Sequence, residues 1–221
     1  MKLQTGALLQ LGAHAKKIMA RTNLHPHGLA HLSRPLQPGL AFMQALLRDP
    51  RAMGACSPSS KSLATVMAAQ VPLPSKGLVV ELGGGTGSVT KALLCRGVPA
   101  SQLRVIENNP VLARLLAERF PRVTVIQGDA AQLSRLLPES RPHVHCIVSS
   151  LPLLSLPAPL VARIIGQIGL LLNRHGTLIQ FTYRIGGGAS PLAAAFEPIR
   201  SQTIFLNLPP AKVEVFHPRP A

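Results

Sequence analysis

From Leu78 onward, short apolar runs alternate with stretches whose apolar positions recur at helical spacing. The runs at 78–82, 103–107, 123–127, 144–149 and 177–183 are rich in Val, Ile and Leu on consecutive positions. That pattern marks strands buried on both faces. Between them, 88–95, 109–119 and 159–172 carry the period of amphipathic helices. Alternation of this kind predicts a doubly wound α/β sheet of parallel strands. Two further runs, 202–206 and 212–216, flank Asn207-Leu208-Pro209-Pro210-Ala211 and read as a closing antiparallel hairpin, which brings the sheet to seven strands. Gly186-Gly187-Gly188 and the stretch 191–198 read as a mobile loop over the strand ends, or equally as a plain linker.

The chain before this region has a different character. Residues 1–48 contain no acid, carry Lys2, Lys16, Lys17, Arg21, Arg34 and Arg48, and are broken by Pro26, Pro35 and Pro38. On a helix, Leu3, Ala7, Leu8, Leu11, Ala15, Ile18 and Met19 share one face opposite Lys16 and Lys17, the layout of an interfacial basic helix. A helix capping its own domain fits the same pattern, and a cleaved targeting segment is a further alternative. A second helix is expected over 36–47, stopped by Arg48-Asp49-Pro50. Ser57-Pro58 reads as an N-cap with proline at the first helical position, opening a helix to about Gln70. The organisation expected is therefore a basic helical arm over 1–48 and one α/β domain over 49–221.

Charge and composition narrow the partners. Against 23 Lys and Arg stand 8 Asp and Glu, a formal net charge of +15, which implies an anionic partner, nucleic acid or an acidic membrane surface. With no Trp, one Tyr and six Phe, the chain has few rings on which to stack bases, which tilts the reading toward the membrane and away from nucleic acid. A hydrophobic fraction of 47% excludes a disordered chain. No stretch has the length of a charge-free membrane span, so a peripheral protein on the cytoplasmic side is expected. Cys56, Cys95 and Cys146 are odd in number and lack metal spacing, as in a reducing compartment.

The candidate chemistry lies at the strand ends. Glu81-Leu82-Gly83-Gly84-Gly85-Thr86-Gly87 follows the first apolar run and precedes a helix, the arrangement of a nucleotide cradle. Its glycines at 83, 85 and 87 alternate instead of following G-x-G-x-x-G, and the carboxylate at Glu81 repels a pyrophosphate but attracts a cationic ligand. S-adenosylmethionine (SAM) is such a ligand. Glu107 closes the second strand, about twenty residues past the glycine loop, where a carboxylate accepts ribose hydroxyls. Asp129 closes the third and suits an adenine amino group. Three of only eight acids thus converge on one sheet edge.

Beyond that, 47–60, 81–90, Ser149-Ser150-Leu151-Pro152-Leu153-Leu154 and Gln180-Phe181-Thr182-Tyr183 resemble the bacterial phospholipid N-methyltransferases of the soluble, peripheral type, over a span from about Leu46 to the tail. The resemblance implies a Rossmann-like class I SAM-dependent methyltransferase fold and stepwise methylation of the amine of phosphatidylethanolamine toward phosphatidylcholine. It also implies that Glu81, Gly83, Gly85 and Gly87 hold the amino acid end of SAM, Glu107 with Asn108 the ribose, and Asp129 with Ala130 the adenine. Ser149, Ser150, Leu151 and Pro152 would face the transferable methyl. The rival is an rRNA adenine dimethylase, which shares fold, charge and acids. Adenine N6 transfer is associated with an Asn-x-Pro-aromatic element, and here Ser149 stands for the amide and Leu153 for the ring. A non-catalytic SAM-fold module would be expected to have lost cofactor acids. Tyr183 is the first candidate for contacting amine or phosphate, a core-edge position being the alternative, and Arg184 is the candidate for the lipid phosphate. No general base stands out; a monomer is favoured.

Overall fold

A computed structural model describes residues 58–74, 77–138, 144–186, 188–207 and 210–219, with side chains from residue 61. The basic arm, the helix expected over 36–47, Cys56 and the Ser57 cap lie outside the described residues. Seven strands form one sheet in the order β3-β2-β1-β4-β5-β7-β6. β1 (Leu78–Leu82), β2 (Leu103–Glu107), β3 (Thr124–Gln127), β4 (Val144–Ser149) and β5 (Leu172–Thr182) run parallel. β6 (Phe196–Ile204) and β7 (Ala211–Pro218) form the hairpin, with β7 antiparallel to both β5 and β6. The helices are α1 (Pro58–Ala69), α2 (Ser88–Arg96), α3 (Pro110–Arg119), a single turn α4 (Leu133–Leu136) and α5 (Ala158–Leu171).

Consecutive strand residues pack into opposite layers, which is why the parallel strands read as unbroken apolar runs. Val79, Val105, Val148 and Ile179 join Leu63 and Met67 of α1 and Leu93 of α2 on one face. Val80, Ile106, Ile147 and Leu178 join Ile164 and Ile168 of α5 on the other. The chain leaves β1 toward β2 and β3, then crosses back to β4 and β5, so the strand order reverses between β1 and β4. Open α/β sheets bind ligands beyond the carboxyl ends of strands at such a reversal.

Two expectations need correction. β5 begins at Leu172, five residues before the apolar run at 177–183, because Leu172 pairs with Val144 ahead of the irregularity in the ladder. The stretch 191–198 is no mobile loop: a 3-10 turn spans Pro191–Ala194, β6 starts at Phe196, and both Leu192 and Phe196 are buried. β6 is an edge strand whose central residues face solvent, so it accommodates Pro198 and shows no apolar alternation.

Candidate functional site

The glycine loop follows β1 directly and leads into α2. Gly83, Gly85 and Gly87 all take positive φ, at 77°, 54° and 84°, a conformation costly for other residues. A Cβ on Gly84 would lie 2.5 Å from Val105 Cγ1, so this glycine lets the loop sit down on β2. At Gly85 a Cβ would enter open space, with Gly83 O the nearest atom at 4.0 Å. The loop is therefore packed from below and open above.

Acids at the strand ends hold the loop. Glu107, nearly buried, accepts from the Gly85 amide through Oε2 at 2.9 Å and from the Asn109 amide through Oε1 at 2.8 Å. Asn109 in turn caps α3, accepting from the Val111 and Leu112 amides. Arg119, at the far end of α3, donates to Thr86 O at 2.7 Å. Glu81 is 0% exposed, and its Oε2 accepts from Thr90 Oγ1 at 2.7 Å. Its Oε1 is buried with no protein partner among the described residues. Burial pushes the Glu81 carboxyl up to about 8, with Glu107 adding to the rise while the bonds to Thr90 oppose it.

That orphaned oxygen and the open cradle at Gly85 are the test of whether these residues suit the expected cofactor, and they pass it. A cationic group near Glu81 satisfies a buried acceptor, and backbone approach at Gly85 is unobstructed. The sign argument changes in one respect: in the free chain burial favours the neutral carboxyl, and a cation draws the proton out. Asp129 is half-buried at the end of β3, where its Oδ1 accepts from the Ala131 amide at 2.8 Å; Ala130 is buried beside it. Asn108 is exposed between Glu107 and the Asn109 cap.

The second half of the site lies where β4 and β5 end. Ser149 is buried and pairs across the sheet with Leu82 on one side and Gln180 on the other. Ser149 Oγ accepts from the Leu151 amide at 3.4 Å, and Gln180 Nε2 donates to Leu151 O at 2.9 Å. The Leu151 peptide is thus gripped at both ends. Leu151 and Pro152 are half-buried, and a Cβ on Gly83 would lie 3.1 Å from Leu151 Cδ2. The Ser149–Pro152 turn therefore touches the glycine loop, which unites the two halves. Ser150 Oγ is buried without a protein partner among the described residues.

Tyr183 and Arg184 directly follow the end of β5. Tyr183 packs edge-on against Phe181, their ring centroids 5.3 Å apart, on the sheet face that holds Val213 and Val215. Its phenol is bonded to Asn207, and burial raises its pKa against that bond. Arg184 donates through Nη2 to Ala189 O at 2.9 Å, tying β5 to the segment that follows it. Three residues at the site escaped the sequence: Thr90, Arg119 and Gln180. The first two act on partners outside their own strand or loop. Gln180 sat in the segment 180–183 quoted for resemblance, but only the register with Ser149 shows its position. An amide is thus present on this row after all, contributed by β5, and the contrast with the Asn-x-Pro-aromatic element narrows to the missing ring; Leu153 is buried in the core.

No family model matches the sequence. Over 145 residues the chain is 32% identical to an ornithine lipid N-methyltransferase of Singulisphaera acidiphila, a match covering 64% of this chain and 76% of that enzyme. Over 109 residues it is 35% identical to ribosomal RNA small subunit methyltransferase A of a Synechococcus strain, covering 47% of this chain and 36% of that protein. In structure it is similar to the 1,6-didemethyltoxoflavin-N1-methyltransferase of Burkholderia thailandensis, with a TM-score of 0.62 at 16% identity over 89% of this chain and all of the other.

Proposed function

The chain belongs to the class I SAM-dependent methyltransferases, and on that footing we propose that it methylates the amine of a membrane lipid, phosphatidylethanolamine being the substrate expected from its motifs. The observation that carries this reading is the similarity to a lipid N-methyltransferase over three quarters of that enzyme, 76%. The rRNA methyltransferase match covers only 36% of its relative, and a buried leucine stands where a base-stacking ring is needed. A lipid headgroup amine requires no such ring. The net charge of +15 suits the anionic membrane surface at which such a substrate resides.

SAM supplies an activated methyl group; the protein's residues bind, orient and desolvate around it. The glycine loop and Glu81 would hold its amino acid end, Glu107 with Asn108 its ribose, and Asp129 with Ala130 its adenine. The acceptor amine arrives as an ammonium, with a free pKa of about 10, and must lose its proton before it has a lone pair to share. Among the described carboxylates, Glu107 and Asp129 are engaged with backbone amides, Glu81 is bonded to Thr90 and assigned to the cofactor, Glu214 is paired with Lys212, and Glu118 and Glu197 are exposed on α3 and β6. Desolvation at the closed strand ends is then the means of favouring the neutral amine. Alignment of nitrogen with the methyl group accounts for most of the acceleration. Among the described residues no helix is long and apolar enough to cross a membrane, and the reading places the protein peripherally on the cytoplasmic leaflet.

The deciding experiment incubates the protein with methyl-labelled SAM and, separately, vesicles of phosphatidylethanolamine, vesicles containing ornithine lipid, and rRNA. Label in a lipid and none in rRNA is expected. Label in rRNA alone establishes the rival, and label in ornithine lipid alone keeps the lipid reading while replacing its substrate.

A further inference from the structure

We infer that Gln180 recognises the amine to be methylated: its side-chain carbonyl accepts an N–H of the substrate nitrogen, so that the site distinguishes amines by how many hydrogens they still carry. The inference rests on the lipid-amine reading and adds a residue and a selectivity to it.

Gln180 is 3% exposed near the end of β5. Its amide orientation is fixed by its partners, because Nε2 faces two carbonyls, Leu151 O at 2.9 Å and Phe181 O at 2.6 Å, and only an NH2 can donate to both. Oε1 is then the remaining end, buried and with no protein partner among the described residues. A buried amide oxygen without a donor is destabilising, so its retention calls for a donor that belongs to the working complex. The register places this oxygen's residue beside Ser149 and two strands from Leu82, on the row where the Ser149–Pro152 turn meets Gly83 of the cofactor loop. Ser150 Oγ, also buried and without a partner among the described residues, lies on that same turn, whereas the fourth such atom, Gln102 Oε1, lies ahead of β2 at the other end of the strands. Three orphaned oxygens, of Glu81, Ser150 and Gln180, therefore sit at the ends of three adjacent strands. The first suits the cofactor; the other two are left for the acceptor.

An amide carbonyl suits an amine better than a carboxylate does, because it accepts an N–H without stabilising the unreactive ammonium by charge. Each transfer replaces one N–H by one N–CH3 and releases one proton. A neutral primary amine offers two hydrogens, its monomethyl product one and its dimethyl product none. Gln180 thus has a donor to accept in the first two steps and none in the third.

The test measures single-turnover rates on micelles of phosphatidylethanolamine and of its monomethyl and dimethyl forms, for the wild type, Gln180→Met and Gln180→Glu. Methionine keeps the length but offers neither bond. Glutamic acid, while protonated, keeps the accepting oxygen and one of the two donated bonds. In Gln180→Met the ratio of first-step to third-step rate should fall about tenfold, so that dimethyl substrate becomes the best of the three. Gln180→Glu should restore the wild-type order at low pH and lose it as the carboxyl ionises. Calorimetric SAM binding by each variant identifies a folded protein. An equal loss at all three steps would make Gln180 a brace for Leu151 and overturn the inference alone. A folded wild type that methylates none of these lipids overturns the lipid reading, and this inference with it.

Discussion

Thr90 occupies only one of the two carboxylate oxygens of Glu81, and the other is buried with no protein partner among the described residues. With its pKa near 8 instead of the ordinary 4.5, folded Glu81 keeps a proton that the unfolded chain gives up. Between those values the unfolded state binds fewer protons, so the stability of the free protein should fall as pH rises from about 5 to about 8, and the fall should be absent in Glu81→Gln. A cationic ligand reverses the preference. SAM binding should therefore release a proton near neutral pH, read as a dependence of the calorimetric enthalpy on the buffer, and affinity should climb over the same window. A buffer-independent enthalpy would mean that Glu81 stays neutral in the complex. Glu107 acts on the same loop by other means. Removing it in Glu107→Ala strands the Gly85 and Asn109 amides, at about 1–3 kcal/mol for each one left unpaired, and should weaken SAM binding more than tenfold in calorimetry. Gly85→Val should match that loss for a different reason: it strains a residue at φ 54° and fills the open side of the cradle.

At the scale of elements, the hairpin and the segment leading to it are where structure and sequence part. Leu192 and Phe196 are fully enclosed with Phe216 and the α5 side of the sheet. Leu192→Ala should cost about 2–5 kcal/mol and Phe196→Ala about 3–5 kcal/mol in urea unfolding, whereas a mobile loop would tolerate both. A midpoint unchanged in either variant would detach this segment from the core. β1, β2 and β4 were legible to the residue because strands buried on both faces consist of little but apolar residues. β6 was legible only at its end, where the run expected over 202–206 overlaps Phe196–Ile204, since an edge strand with one solvated flank needs only its ends buried. The same logic divides the site. Glu81, the glycines, Glu107 and Asp129 announce themselves because each closes a strand within its own segment. Thr90, Arg119 and Gln180 do not. Their importance arises from partners 9, 33 and 29 residues away, and only strand register and helix packing bring those together.

At the scale of the whole molecule, the candidate site among the described residues lies along one edge of the sheet. The parallel strands end there at Leu82, Glu107, Gln127, Ser149 and Thr182, and Thr182 lies opposite Lys212 at the start of β7. The turn between β6 and β7 therefore projects from that same edge. It carries Phe205 and Leu206, 76% and 84% exposed, beside a groove walled by exposed Lys61 of α1. Apolar side chains at the tip of a basic protein, on the edge where the proposed lipid amine would enter, suit shallow insertion between headgroups. Full burial of the pair would contribute roughly 3–6 kcal/mol, and each nearby basic side chain about 1 kcal/mol on an anionic leaflet. Neither contribution alone holds a protein firmly on a membrane. The sequence pattern of the basic arm, which lies outside the described residues, leads us to expect a second contact through Leu8 and Leu11, so the two sites should be separable. In vesicle flotation, the double change Phe205→Glu with Leu206→Glu should lower the bound fraction at every salt concentration while SAM binding persists. The pair Leu8→Glu with Leu11→Glu should do the same if the arm lies on the bilayer, and all four together should abolish flotation. Should the tip variant float like the wild type while the arm variant sinks, the membrane contact belongs to the arm, and the strand-end edge must meet its lipid without entering the bilayer.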